Sequence, residues 1–241
     1  MENLTSELAR RPHPERIAQV LEAGRRAHGG GRAEQRQLAA LHQGTTFERW
    51  MAVKSCYTSR DGARVLDHVQ DRSERVRQAA RKLVALACDD AQALAALQLC
   101  FATRQHHRLL TSLQRRGRTA PIDAFLDWLR EQPGETQFAD AVPYGSSAAI
   151  ARHLDRALER AGFTFWDRLR RRAPDALAGV LDAQLAAATG HPDSRLRWVI
   201  DRSLVELAER APRATLALWS RLRERGVPVP ARVESALARR C

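Results

Sequence analysis

The chain has 241 residues, of which 44% are hydrophobic, 28% charged and 5% aromatic, and these proportions exclude collagen-like and low-complexity proteins. Leucine- and alanine-rich periodic stretches recur to the C-terminus, which excludes an intrinsically disordered chain. No apolar run approaches the ~18 residues of a membrane helix, and residues 1–16 contain no apolar core of a secretory signal. The sequence therefore predicts a cytoplasmic protein.

The charge balance is strongly basic: 40 basic and 28 acidic residues give a formal net charge of +12. Such an excess is typical of proteins that bind an anionic partner, such as nucleic acid, an acidic protein or a membrane surface. Lys54 and Lys82 are the only lysines, and all other basic residues are arginine. An arginine and alanine excess also follows from a GC-rich genome, so the origin of the charge stays open at this point.

The cysteines and histidines do not form a recognisable metal or redox motif. No C-x-x-C pair and no H-x-x-x-H spacing occurs in the sequence. Cys56, Cys88 and Cys100 lie within apolar helical patterns, which predicts buried, reduced thiols, and Cys241 ends the given sequence. We therefore expect no metal and no cofactor.

A helical period of 3.6 residues runs along almost the whole chain, and no segment shows the alternation of a strand. Prolines stand before many of the amphipathic runs, where a first helical turn has no need of the missing N–H. The pattern predicts an all-α protein with helices near 14–28, 32–42, 47–58, 60–70, 73–87, 89–102, 104–116, 121–131, 147–161, 163–172, 174–189, 193–210, 212–225 and 230–240.

Internal repeats indicate how these helices are arranged. Residues 172–176 recur as residues 210–214, a shift of 38, and the Arg-Gly-x-x-x-Pro of 116–121 recurs at 225–230. Periods near 38–40 residues fit repeats of two helices, and stacked helical hairpins build a solenoid. The sequence therefore predicts an α-solenoid of about six hairpins in a right-handed superhelix.

The segment Asp71-Arg72-Ser73-Glu74-Arg75-Val76-Arg77-Gln78-Ala79-Ala80, followed by Leu83, resembles the start of the second helix of a HEAT repeat. The resemblance implies that Asp71 and Arg77 take part in a hydrogen-bonded ladder between successive repeats and that Val76 enters the core. A second copy around residues 191–197 departs from the pattern, because its Asp falls two positions later and Leu replaces Val. The resemblance covers residues 47–130 well and 146–240 loosely.

These patterns divide the chain into four parts. We expect N-terminal capping helices in 1–45, HEAT-like repeats in 46–132, an irregular loop in 133–145 and further HEAT-like repeats in 146–241. Loops of this length in compact arrays often have a function. Phe138 and Tyr144 within the loop either cover a groove or pin a linker.

One aromatic cluster is followed by a basic run, in residues 163–172. A Trp face beside guanidinium groups binds nucleic acid through stacking, cation–π contacts and phosphate pairing, which makes Trp166, Arg168, Arg171 and Arg172 candidates for binding nucleic acid or another partner. The alternative is a helix whose Phe165, Trp166 and Leu169 face the core. The segment also resembles HEAT-like DNA-alkylation-repair glycosylases, which carry a Trp-Asp followed three residues later by a catalytic Asp. Trp166-Asp167 matches, but Arg170 occupies the catalytic position, which implies a relative without glycosylase activity.

The sequence contains no G-x-S-x-G, P-loop or dinucleotide-binding motif, so we expect no catalytic residues. The first hypothesis is a non-catalytic HEAT-like scaffold that binds a protein or peptide partner in a concave groove. The alternative is a HEAT-like protein that binds nucleic acid.

Overall fold

The computed structural model describes residues 4, 8, 10–132, 137–159, 162–188, 192 and 194–240, without the side chains of residues 155, 158, 159, 163 and 195. Residues 133–136, Asp193 and Cys241, which the sequence analysis used, lie outside this part. Within it every regular element is helical: α1 His13–His28, α2 Arg32–His42, α3 Thr46–Ser59, α4 Gly62–Asp67, α5 Glu74–Ala87, α6 Asp90–Ala102, α7 His106–Arg115, α8 Ala120–Glu131, α9 Phe138–Ala141, a 3-10 turn Val142–Tyr144, α10 Ser147–Glu159, α11 Phe163–Arg172, α12 Pro174–Ala187, α13 Ser194–Arg210, α14 Pro212–Glu224 and α15 Ala231–Ala238.

Local chemistry explains where many of these helices begin and end. Thr45 and Asp89 cap α3 and α6 in capping boxes with Glu48 and Gln92, as polar residues at these positions do. The two repeated Arg-Gly motifs have the same backbone role, since Gly117 follows α7 with φ 70° and Gly226 follows α14 with φ 64°. A left-handed residue after the last turn ends each helix there.

The chain divides into two compact units, residues 1–128 and 129–241. In the first unit α1 packs on α3, α3 on α5 and α5 on α7, while α4 packs on α6. In the second unit α10 packs on α12, α11 on α13, α12 on α14 and α13 on α15. Each helix in these pairs therefore contacts the second helix that follows it. The repeated motifs at 172–176 and 210–214 start α12 and α14, which pack directly on each other.

The segment 137–145 differs from the irregular loop that we expected. It forms α9 and the 3-10 turn, and its side chains from Phe138 to Tyr144 are buried apart from the partly exposed Asp140. Phe138 is 2% exposed and Tyr144 4% exposed, so both belong to the core of the second unit and do not cover a groove. The segment was missed because one helical turn is too short to show a period of 3.6 residues.

No helix among the described residues is both long enough and apolar enough to cross a membrane.

Candidate anion-binding surface

The basic run of α11, which the sequence analysis proposed as a binding site, is largely paired with carboxylates. Arg168 Nη1 lies 2.9 Å from Asp140 Oδ1, and Arg171 Nη2 lies 2.9 Å from Asp167 Oδ2. Arg170 forms ion pairs with both Asp167 and Glu206. The Arg172 guanidinium lies 4.0 Å from the centre of the Tyr144 ring. Ion pairs of this kind neutralise the charge that a phosphate would otherwise meet.

Trp166 is part of the core, in contrast to the prediction that it stacks on a ligand. Its side chain is 5% exposed and packs edge-on against Phe165, with ring centres 5.3 Å apart. Its Nε1 atom has no hydrogen-bond partner among the described residues. The alternative that we derived from the spacing of Phe165, Trp166 and Leu169 therefore describes this helix correctly.

The contacts of Asp71 differ from those that the resemblance implied, because its carboxylate binds Arg49 and not Arg77. Asp71 binds Arg49 of α3 in a bidentate pair, with Nε–Oδ2 at 2.8 Å and Nη2–Oδ1 at 3.1 Å. Arg77 does not bind the Asp71 carboxylate; it donates to the Asp71 carbonyl oxygen and pairs with Glu74. Val76 is fully buried, as the resemblance implied. A similar bridge occurs in the second unit, where Arg221 of α14 binds Asp182 of α12 at 2.6 and 3.2 Å.

A different set of cations lies on the adjacent helices α3, α5 and α7 of the first unit. We define the cationic surface as Lys54, Arg75, Lys82 and Arg108 together with the ring of Trp50. None of these four cations forms an ion pair with a carboxylate among the described residues. Arg75 and Lys54 both approach the Trp50 ring, at 4.3 and 5.3 Å from its centre. His13 of α1 stacks on the same indole at 5.6 Å.

These cations affect one another electrostatically. The pKa of Lys54 lies below its usual value, first because the side chain is half-buried and then because the charges of Lys82 and Arg75 disfavour another cation. A cluster of like charges without counterions costs free energy, and a bound anion removes that cost. The surface is therefore suited to a polyanion.

A groove between α5 and α7 extends this surface. Its volume is about 290 Å³, and the surface that lines it is more apolar than polar, although most of the lining residues are polar or cationic: Gln78, Arg81, Lys82, Arg108, Leu109 and Ser112. No carboxylate lines it among the described residues. Arg81 is buried and is held by the Val69 carbonyl oxygen and by the Gln105 side chain, so it supplies a fixed positive charge at the base of the groove.

Sequence reasoning missed the cationic surface because its members come from three separate helices. They are separated from one another by at least six residues in the sequence, whereas the arginines of residues 168–172 form a visible run. One signal was present, since the only two lysines of the chain both belong to the surface. The four cations come together because α3 packs on α5 and α5 packs on α7.

The chain matches no protein-family model, and no curated protein and no solved structure shows a significant similarity to it. The function is therefore argued from the geometry of the chain itself.

The thiols offer a test of the predicted burial. Cys56, Cys88 and Cys100 are at most 6% exposed, and burial raises the pKa of Cys56 to about 12 and that of Cys88 to about 11. Burial also raises the pKa of Cys100. Since the thiolate is the reactive form, we expect all three to react with a thiol reagent at pH 8 far more slowly in the native protein than in denaturant.

The measurement is best made in a Cys241→Ser background by mass spectrometry of the labelled protein over time. Rapid labelling of all three cysteines without denaturant would show that the helices carrying them are not packed as described.

Proposed function

We propose that this protein is a non-catalytic scaffold of stacked, HEAT-like helical hairpins whose first unit binds nucleic acid through the cationic surface. The eight pairs in which a helix packs on the second one that follows it support the hairpin array, for which we propose a right-handed superhelix. The observation that carries the binding proposal is the group of four neighbouring cations that have no carboxylate partner among the described residues. Nucleic acids supply closely spaced phosphates, and their affinity for such a group comes largely from released counterions.

An acidic peptide is the second candidate, in line with the expectation of a protein or peptide partner. Carboxylates pair with guanidinium groups as phosphates do. The groove between α5 and α7 favours it, because Gln78 and Ser112 offer hydrogen bonds and Leu109 offers an apolar contact beside the cations. A peptide differs from nucleic acid in that its charge is less dense and its salt dependence is weaker.

The test compares two triple variants that remove the same number of charges. The first replaces Arg75, Lys82 and Arg108 by Gln, and the second replaces Arg168, Arg171 and Arg172 by Gln. Fluorescence titration of a short labelled DNA duplex and of its single strand, at several salt concentrations, measures affinity and its salt slope. We expect the first variant to bind weakly and to lose up to about three units of slope, roughly one for each lost phosphate contact.

The control variant should keep most of the wild-type slope, because Arg168 and Arg171 already pair with carboxylates and Arg172 lies on the Tyr144 ring. Circular dichroism establishes that both variants are folded. Undetectable binding of the wild type at low salt would contradict the proposal, and so would an equal loss in both variants, which would mean that only total charge matters. Displacement of the DNA by an acidic peptide at lower concentration than by unlabelled DNA would favour the second candidate.

A further inference from the structure

A pocket at the other side of α3 is separate from the cationic surface. It lies among α1, α2, α3 and the start of α4 and has a volume of about 520 Å³, within the range of small-molecule sites. Its lining is mainly polar and includes His28, Ser59, Asp61, His42, Arg60 and Arg64. Such a polar pocket has to be filled by water or by a ligand that satisfies its hydrogen bonds.

His42 lines this pocket and is the end of a buried hydrogen-bonded chain. Its Nδ1 atom lies 2.8 Å from His68 Nε2, and His68 Nδ1 lies 3.1 Å from Asp71 Oδ2. The Asp71 carboxylate is itself held by Arg49. A carboxylate only accepts, so His68 Nδ1 donates to it. We assign the tautomers in which His68 Nε2 accepts from His42 Nδ1. The other ring nitrogen of His42, Nε2, is then an acceptor with a fixed orientation.

That acceptor has only a weak partner within the protein. The Cys56 thiol lies 4.0 Å from His42 Nε2, and it already donates to the Ala52 carbonyl oxygen at 3.5 Å. His42 is 6% exposed, and burial, followed by the charges of His68 and Arg64, lowers its pKa to about 3, so the ring is neutral at pH 7. A buried acceptor that lacks a strong donor costs free energy, which a ligand O–H or N–H would recover.

Two arginines, Arg60 and Arg64, and one carboxylate, Asp61, lie at the mouth of the pocket. Arg60 is exposed, forms no ion pair among the described residues and adopts a left-handed backbone with φ 53°. This is the conformation in which helices commonly end, and Arg60 is the C-cap of α3. Arg64 has only a long pair with Asp67 at 3.5 Å, and the Asp61 side chain accepts from the Arg64 backbone N–H.

We propose that this pocket binds a small hydroxylated anion, with its phosphate or carboxylate against Arg60 and Arg64 and its hydroxyl donating to His42 Nε2. The two ends of the pocket supply the two kinds of contact that such a compound needs. Charge-assisted hydrogen bonds at the mouth provide affinity, and the oriented acceptor inside selects compounds that carry a donor. This site takes a soluble small molecule and does not depend on nucleic-acid binding.

The experiment uses calorimetry and histidine-ring NMR with four probes: glycerol 3-phosphate, inorganic phosphate, lactate and acetate. We expect glycerol 3-phosphate to bind more tightly than inorganic phosphate, or lactate more tightly than acetate, and the bound compound to shift the His42 ring signals. The pair that binds distinguishes a phosphate ligand from a carboxylate ligand.

Two variants and one control test the assignment. Arg60→Gly suits the left-handed backbone, so it should fold normally while weakening the bound probe by about tenfold or more. His42→Phe should abolish the preference for the hydroxylated member of each pair. Arg36→Gln, on the exposed side of α2, should bind as the wild type does.

Three outcomes would overturn the proposal: no heat and no His42 shift with any probe at millimolar concentration, unchanged affinity in Arg60→Gly, or a preference that survives His42→Phe. A shift of the His13 ring signals, instead of those of His42, would mean that the anion binds to the cationic surface, because His13 stacks on Trp50. That result would remove the pocket site and leave the nucleic-acid proposal standing.

Discussion

Replacement of Asp71 by Ala should lower the free energy of unfolding by about 3–5 kcal/mol, the range found when one partner of a buried ion pair is removed. The Asp71 and Arg49 side chains are 6% and 8% exposed, so water cannot replace the lost carboxylate. The change also removes the acceptor for the Ser73 backbone N–H at 2.8 Å and for the His68 ring. Urea unfolding followed by circular dichroism measures the effect.

A double-mutant cycle separates the pair from its surroundings. Arg49→Leu alone leaves a buried carboxylate, whereas Arg49→Leu with Asp71→Ala leaves neither charge, so the double variant should be more stable than the sum of the single losses predicts. Arg77→Gln serves as a control, because Arg77 pairs with the exposed Glu74, and it should cost less than about 1 kcal/mol. A larger loss of unfolding free energy in Arg77→Gln than in Asp71→Ala would contradict this assignment and favour the pairing of Asp71 with Arg77 that the HEAT resemblance implied.

The Asp71–Arg49 ion pair shows which contacts a local sequence resemblance can predict and which it cannot. Asp71 and Val76 lie within one turn and the helix that follows it, so a ten-residue pattern was enough to place them. The partner of Asp71 comes from the previous helix pair, 22 residues earlier in the chain. Which arginine reaches the carboxylate depends on the rotation of α3 against α5, and helical periodicity does not determine that rotation.

The helices themselves were predictable because an amphipathic helix carries its own signal over three or more turns. Observed ends differ from the predicted ones where a cap decides them: α4 covers only Gly62–Asp67 of the predicted 60–70, because the Asp61 side chain accepts from Arg64 N at the start of the helix. The all-α class is therefore confirmed, while the solenoid remains a proposal.

Candidate sites were harder to predict than helices, because sites depend on residues distant in sequence. The run at 168–172 is conspicuous in the sequence, yet Asp140 and Glu206 approach it from other helices. In contrast, Lys54, Arg75, Lys82 and Arg108 pair with no carboxylate among the described residues, although Glu74 lies beside the groove and accepts from Gln78. The pocket at His42 had no signal at all, because its hydrogen-bonded chain joins α2, the end of α4 and the start of α5.

Acid should destabilise the protein well above the pH at which carboxylates titrate. Burial, then the charges of His68 and Arg64, lowers the pKa of His42 from 6.5 to about 3, and burial, then His107, lowers that of His106 to about 4. Because both values lie below those of the unfolded chain, the unfolded state binds more protons between about pH 4 and 6.5, and stability falls as the pH falls through this window. Two such protons correspond to a slope of at most about 2.7 kcal/mol per pH unit.

Urea unfolding at pH 7, 6 and 5 measures this slope, and two variants show which histidines contribute to it. His106 is fully buried among Phe101 and Phe125, with neither ring nitrogen hydrogen-bonded within the described residues, so His106→Phe should fold and remove about half of the slope. Replacement of the exposed His28 by Gln should leave the slope unchanged.

The Asp71 carboxylate affects stability only in more acid solution. Burial alone would raise its pKa, but hydrogen bonds from Arg49, Ser73 N–H and His68 hold that pKa well below its usual value. The stability that Asp71 contributes is therefore lost below about pH 4. Stability that stays constant from pH 7 to 5, or a His106→Phe slope equal to that of the wild type, would contradict the burial of these histidines in neutral form.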